Sequence, residues 1–182
     1  MKPSSHRRAR YSAVLVGVLV VALVIVLATR RTAPGTMTES SLGGKLAPPV
    51  SGVALNSGKT VSLRALRGRF VVLDFFASWC TPCLAEVPQL SRFVFQHKGA
   101  NAATVLGIDI DDSAADGRAF LARVGATWPA IEDANAMLAQ AYGVASPPRA
   151  FLISPAGRVV ATFSSGVTTD QLDAVLAAAS VH

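Results

Sequence analysis

Cysteine is nearly missing from this chain of 182 residues; the two that occur are Cys80 and Cys83. Two thiols cannot complete a four-ligand zinc site, and His6, His97 and His182, the only histidines, stand at no ligand spacing to them. A disulfide between positions so close would restrict the unfolded chain little, which argues against a purely structural bond. Acids are missing around the N-terminal basic residues. Lys2, Arg7, Arg8, Arg10, Arg30 and Arg31 are six of seventeen basic residues with no acid among them, and the other eleven face eleven acids. The rest of the chain is therefore formally neutral. The net charge of +6 describes the N-terminal flanks, and a nucleic-acid surface is disfavoured. Internal repeats are also absent.

What is present begins with an apolar run. Apolar residues make up 51% of the chain, high for a soluble domain, and Tyr11 to Thr29 is nineteen residues without a charge. As a helix that run would be about 28 Å long, near the hydrocarbon thickness of a bilayer. The sequence thus predicts a basic cytoplasmic N-terminus over 1–10 and a transmembrane anchor over 11–29. With more Lys/Arg before the run than after it, the N-terminus is expected inside and the domain outside, a single-pass protein of the cell membrane. A cleaved signal peptide is the competing reading, but the run is long for one and no A-x-A site precedes Arg30-Arg31. Arg7-Arg8 alone is a weak twin-arginine signal. Either way the domain is expected to be exported.

Residues 30–46, rich in Gly, Ser and Thr, are expected to be a flexible tether, and Ala47-Pro48-Pro49 marks the start of a domain over 47–182. Val53–Leu55 and Thr60–Leu63 flank Asn56-Ser57-Gly58-Lys59, a hairpin signal. Phe70 to Phe76 is a continuous apolar run broken only by Asp74, as in a strand buried on both faces. A helix is expected from about Cys80 to His97, with Pro88 inside it. A strand follows over Ala103–Ile110, a helix over Ser113–Val124 and a short strand over Pro129–Ile131. Asn135–Tyr142 should be a short helix closed by Gly143. Ala150–Ser154 and Arg158–Ser164 form a hairpin. Thr168 to Gln171 has capping-box spacing for a last helix to about Ala179. Strands alternating with helices, then a terminal hairpin, imply an α/β fold with a mixed central sheet flanked by helices.

The cysteines stand where a strand ends and a helix begins. A helix N-terminus stabilises a thiolate through free N–H groups and the helix dipole. Cys83 lies on the same side of the first turn as Cys80 and can close a ring with it, and Pro82 stiffens that turn where no N–H is needed. Redox exchange is the expected chemistry. Asp74 is a carboxyl in the middle of an apolar strand, which costs several kcal/mol if unpaired, so its pKa should rise. It is then suited to take a proton from a cysteine. Asp109, Asp111 and Asp112 at the next strand end suit either a cation or, preferred here, a turn and helix cap. Trp79 and Trp128 suit either the dithiol surface or core packing.

Trp79-Cys80-Thr81-Pro82-Cys83 after a buried strand, with Tyr142-Gly143-Val144, Pro148 and Phe151-Leu152-Ile153 further on, resembles the thioredoxin fold. Cys80-x-x-Cys83-x-x-Glu86-x-Pro88, with the expected anchor and the added N-terminal β-hairpin, resembles its membrane-tethered branch of TlpA, ResA and CcmG (DsbE) proteins. The resemblance covers about Ala47 to Ala179. It implies that Cys80 attacks and that Cys83, more buried, resolves the mixed disulfide. It implies that Pro148 is a cis-proline facing the dithiol and that Glu86 exchanges protons with a thiol. A solvated surface charge is the plain alternative for Glu86. Asp74 matches the buried acid of cytosolic thioredoxins, where this branch usually has Asn. Pro147 departs from the pattern. The residue before the cis-proline pairs with a substrate strand, and proline has no N–H to give, so one main-chain hydrogen bond to substrate should be lost unless Pro147 merely stiffens the loop.

The resemblance implies a thiol–disulfide oxidoreductase without a cofactor. Its first-choice role is a reductant of exported protein disulfides, apocytochrome c in particular, fed by a DsbD- or CcdA-like membrane reductant. An oxidant that inserts disulfides is the runner-up. A metal-binding or assembly module without redox turnover is the alternative of another class, although the C-x-x-x-C and nearby His of copper-delivery relatives are absent. So is the threonine-then-cysteine pocket of peroxidases.

Overall fold

A strand that is apolar on both faces needs a layer above it and a layer below it. The computed structural model describes residues 14–25, 36–37, 40–99 and 103–179. Its strands are β1 (Thr36–Met37), β2 (Ser51–Val53), β3 (Thr60–Ser62), β4 (Val71–Phe76), β5 (Thr104–Asp109), β6 (Ala130–Glu132), β7 (Arg149–Ile153) and β8 (Val159–Ser164). Residues 14–25 are helical and are called α1. The other helices are α2 (Thr81–Gln96), α3 (Ala114–Val124), α4 (Met137–Tyr142) and α5 (Thr169–Ala179), with a 3-10 turn at Leu63–Leu66. The chain divides into two units, Met1–Ala33 and Pro34–His182.

The expected membrane anchor is corrected. Among the described residues no helix is long and apolar enough to cross a membrane. Helix α1 spans twelve described residues, which at the helical rise is about 18 Å against a hydrocarbon core of about 30 Å. The single-pass topology and the membrane localisation inferred from that run fall with it. Residues 11–13 and 26–29 of the expected span, and the basic segment 1–10, lie outside the described residues.

In the second unit six strands form one mixed sheet in the order β1-β8-β7-β4-β5-β6. β4, β5 and β6 run parallel, while β7, β8 and β1 are antiparallel to their neighbours. This is the thioredoxin-like α/β architecture. All six residues of β4 are buried. Val71, Leu73 and Phe75 face a layer that includes Leu106, Ile108, Phe151 and, from α4, Tyr142. Val72 and Phe76 face α2, α3 and α5, through Leu90, Phe93, Phe120, Leu121 and Leu172. Strand alternation puts Asp74 on this second face, with Gly107 of β5 and Ala150 of β7 as its neighbours in register. Gly107 has no room for a side chain, because a Cβ there would stand 2.8 Å from Cβ of Ala130 and 2.9 Å from Cε1 of Phe76.

The N-terminal hairpin forms as β2 and β3 and stands outside the main sheet. Within the stretch read as a tether, residues 30–35 and 38–39 are outside the described residues. Thr36–Met37 pair with β8, and Gly43 and Leu46 bridge to Val159 and Arg158. Backbone hydrogen bonds seat this segment on the sheet edge, among them Gly44 N–H to Val159 O and Val159 N–H to Lys45 O, both at 2.9 Å. Such pairing leaves no apolar period in the sequence. Helix α2 continues through Pro88 and ends at the His97 cap.

Candidate active site

Cys80 is the N-cap of α2, with an extended backbone (φ −80°, ψ 102°), and its Sγ accepts the Cys83 N–H at 3.1 Å. Thr81 and Pro82 fill the first two helical positions, and the ring nitrogen of Pro82 takes the place of a donor that would have no partner there. One helical turn brings Cys83 back beneath Cys80, and the two are joined by a disulfide with Cα atoms 5.3 Å apart. The two cysteines are buried almost equally as residues, Cys80 at 4% and Cys83 at 3% exposure, so residue burial does not separate their roles. Trp79, immediately before the pair, is 59% exposed.

Glu86 lies one turn beyond Cys83 and is 4% exposed, which removes the solvated-charge reading. One oxygen accepts the Val167 N–H at 2.8 Å and the other meets no donor. Burial, reinforced by the negative charge of Asp74 and only partly offset by the Val167 N–H, holds its pKa well above the ordinary range. Asp74 is 5% exposed, its Oδ1 meets no donor, and burial pushes it up to about 7. Both acids lie on the face of the sheet that α2 covers, and they feel each other's charge. A cysteine that ionises on this side of the sheet does so against that field; the protonated form of either acid can give a proton and the ionised form can take one.

The peptide between Pro147 and Pro148 is cis. Phe75 pairs with Arg149, so Pro148 lies at the end of the sheet from which the Ala77–Cys80 segment leaves. Pro148 is buried and Pro147 half-buried. Glu86, Asp74 and the cysteines thus come together on one side of the sheet, with Pro148 and Trp79 at its dithiol end.

Sequence reasoning missed two features. Val167, in the turn before α5, supplies the hydrogen bond that Glu86 accepts, and Gln89 holds Thr169 beside it with Oε1 at 3.1 Å from the Thr169 N–H. Glutamate and glutamine one turn apart on α2 were the signal, but their partners lie some eighty residues away. The other feature is the grip of the β5–α3 loop on the dithiol segment. Asp112 Oδ2 accepts the Ser78 N–H at 2.6 Å, and Asp111 O accepts the Trp79 Nε1–H at 3.0 Å. Ser113 caps α3 through the Asp116 N–H, as the cap reading of this acidic run requires. Among the described residues no group of three or more His, Cys, Asp or Glu is placed to hold a metal ion.

A C-x-x-C disulfide capping a helix, with a cis-proline at the same end of a thioredoxin-like sheet, is the site of a thiol–disulfide oxidoreductase. Comparison with known proteins names the family: residues 42–176 match the Redoxin family, and the chain belongs to it. It is 28% identical over 116 residues to the thiol-disulfide oxidoreductase ResA of Bacillus subtilis, covering 64% of each chain. To ResA of Bacillus anthracis it is 30% identical over 119 residues, covering 65% of this chain and 68% of that one. The chain thus spans about two thirds of the length of these relatives. Among solved structures, a Chlorobium tepidum protein assigned as the thiol:disulfide interchange protein DsbE superimposes with a TM-score of 0.68 at 29% identity, covering 75% of this chain and 96% of that one. A secreted Mycobacterium tuberculosis disulfide oxidoreductase homologous to DsbE gives 0.60 at 25%, covering 71% and 95%.

Proposed function

We propose that this protein reduces disulfides in partner proteins, that its substrate is the paired haem-binding cysteines of an apocytochrome c, and that a DsbD- or CcdA-like membrane reductant recharges it. The observation that carries the direction is the pair of buried carboxyls, Asp74 and Glu86, on the dithiol side of the sheet. A strong oxidant owes its power to a stabilised reduced form, commonly a thiolate held by positive charge or a helix N-terminus. Here the helix N-terminus favours the Cys80 thiolate while two buried acids oppose it. The balance favours giving electrons over taking them. The apocytochrome substrate rests on the likeness to the ResA and DsbE relatives.

In this reading the Cys80 thiolate attacks one sulfur of the substrate disulfide, forms a mixed disulfide and releases a substrate thiolate. Cys83 passes its proton to the buried acid pair and attacks Sγ of Cys80. The Cys80–Cys83 bond closes, and the second substrate thiolate leaves and is protonated. Two electrons pass from the dithiol to the substrate. Pro148 lies at the end of the sheet where substrate would dock. Pro147, lacking an N–H, removes one main-chain bond that a paired substrate strand would otherwise make.

Equilibration of Cys80–Cys83 against defined thiol–disulfide buffers tests the direction. A potential near thioredoxin's, about −270 mV, supports the reductant, and one near DsbA's, about −120 mV, assigns an oxidant instead. Faster reduction of an oxidised Cys-x-x-Cys-His peptide than of an unrelated peptide disulfide is the expected mark of the substrate class. Equal rates would refute it.

A further inference from the structure

Beyond position 31 the chain is formally neutral, but its charges are segregated. Val71 at the start of β4 pairs with Ile153 at the end of β7, so the β7–β8 turn, residues 154–158, lies at the end of the sheet opposite the dithiol. Lys45, Arg64, Arg67, Arg69 and Arg158 gather there, all exposed. No acid stands between Glu39 and Asp74 or between Asp133 and Asp170 in the sequence. At the other end of the sheet Asp111 and Asp112 follow β5 and hold the segment of Ser78 and Trp79, while Glu132 closes β6.

Backbone contacts build the basic end. The Gly68 N–H donates to Pro155 O at 3.1 Å, which sets the backbone of Arg67 and Arg69 beside the turn. Arg67 donates from Nη1 to Ala156 O, and its guanidinium occupies the space that a Cβ on Gly157 would need. Arg64 precedes Arg67 by three residues across the 3-10 turn, a spacing at which side chains eclipse. Arg158 donates from Nη1 to Gly44 O at 2.9 Å, and the Val159 N–H donates to Lys45 O at 2.9 Å. Among the described residues none of the five meets an acid at ion-pair distance. Two guanidiniums are thus fixed by carbonyls with donors to spare. Leu46, 57% exposed, bridges to Arg158 and adds one large apolar side chain.

We propose that this end of the domain is a docking surface for an acidic segment of a second protein, one that also carries an apolar side chain to set against Leu46. A guanidinium fixed in place matches a carboxylate with two parallel hydrogen bonds and loses little freedom on binding. The acids at the dithiol end repel the same segment, so charge selects which end of the domain it meets. The docked partner leaves Cys80 and Cys83 facing away from it, and the surface recruits the domain without taking part in exchange. The segments that form it, residues 43–46, 64–69 and 154–158, contain no aromatic residue, so they lack both the rings that stack on nucleic-acid bases and the wedges that seat in a lipid surface.

Amide NMR spectra of the full chain in the disulfide form, titrated with a glutamate-rich peptide containing leucine at about 0.15 M salt, provide the test. Because the readout is local, binding of the peptide to the basic residues before position 32 does not disturb it. The Gly44, Gly68 and Gly157 amides should shift and saturate together. Arg64→Glu with Arg69→Glu should weaken the affinity read at those amides by about tenfold or more, and Lys59→Glu with Arg118→Glu, an equal change of charge elsewhere, by less than about twofold. If the first pair does not fold, Arg64→Gln with Arg69→Gln serves in its place, with a loss of about threefold expected. Exchange with a small disulfide should be the same in parent and variants. Unmoved amides at the turn, an equal loss in the Lys59 and Arg118 pair, or slowed exchange would overturn the proposal. So would a duplex oligonucleotide or vesicles of anionic phospholipid that shift the same amides at lower concentration than the peptide.

Discussion

Asp133 and Asp74 are buried to a similar depth, 7% and 5% exposed, but the fold meets their needs differently. Asp133 sits before α4 and spends both oxygens, accepting the Leu138 N–H at 3.0 Å and the Ala139 N–H at 2.8 Å. Its carboxylate replaces partners that the first turn of α4 lacks. Asp74 sits mid-strand under α2 with Oδ1 unpartnered, and Glu86 above it has one oxygen satisfied and one not. Burying a carboxyl without donors is expensive, and nothing in the packing of the sheet requires an acid at position 74. A partnered buried acid is explained by folding. An unpartnered one on the dithiol side of the sheet is what the proposed proton transfer with Cys83 would use.

Four changes would break or sharpen that contrast. The largest effect is expected from Asp74→Asn combined with Glu86→Gln, which leaves Cys83 without a proton acceptor. Resolution of a trapped mixed disulfide should slow by about a hundredfold at neutral pH, the lower end of what general acid–base groups supply. Rapid-quench measurement of that step checks it, and an unchanged rate would remove both acids from the mechanism. Asp133→Ala is next. Losing two hydrogen bonds at the α4 N-terminus should cost about 1–3 kcal/mol in chemical denaturation while leaving the pH profile of exchange in place.

The third change concerns stability against pH. Asp74 is raised from an ordinary value of 3.8 to about 7. The folded state therefore holds its proton where the unfolded state has lost it. The stability linked to that proton is full below about pH 4 and is lost as pH rises to about 7. Asp74→Asn should accordingly look increasingly stabilising between those limits, by up to about 1.4 kcal/mol for each pH unit crossed. Urea denaturation of the disulfide form at both ends is the measurement, and a constant difference between parent and variant would contradict it. The smallest effect is expected at the docking end. Pro147→Thr restores an N–H and should lower KM for a peptide disulfide by about fivefold, roughly one net hydrogen bond, with kcat little changed.

Much of the fold was legible because its signals are local. The buried run Phe70–Phe76, Pro82 at the opening of α2, the Gly143 helix end and the hairpin turn at 56–59 each lie within a few residues of the element they define. The cis-proline position could be reached too, by counting back from Phe151 through the P-x-x-F of the pattern the sequence resembles. The apolar run near the N-terminus misled because hydropathy measures composition. Among the described residues no helix there is long and apolar enough to cross a membrane. The docking of Thr36–Met37 on β8 was invisible for a related reason, since main-chain pairing does not depend on side-chain identity.

Sequence alone determined where the chemistry is: two cysteines, one helical turn apart, at the N-terminus of a helix that follows a buried strand. Tertiary structure decided what surrounds them. A glutamate on a helix becomes a buried acid only when α5 and the turn at Val167 close over it. An aspartate after a strand becomes a clamp on Ser78 only when parallel pairing brings the ends of β4 and β5 side by side. Reactivity here depends on desolvation and on charges met across the fold, and those are properties of neighbours far away in sequence.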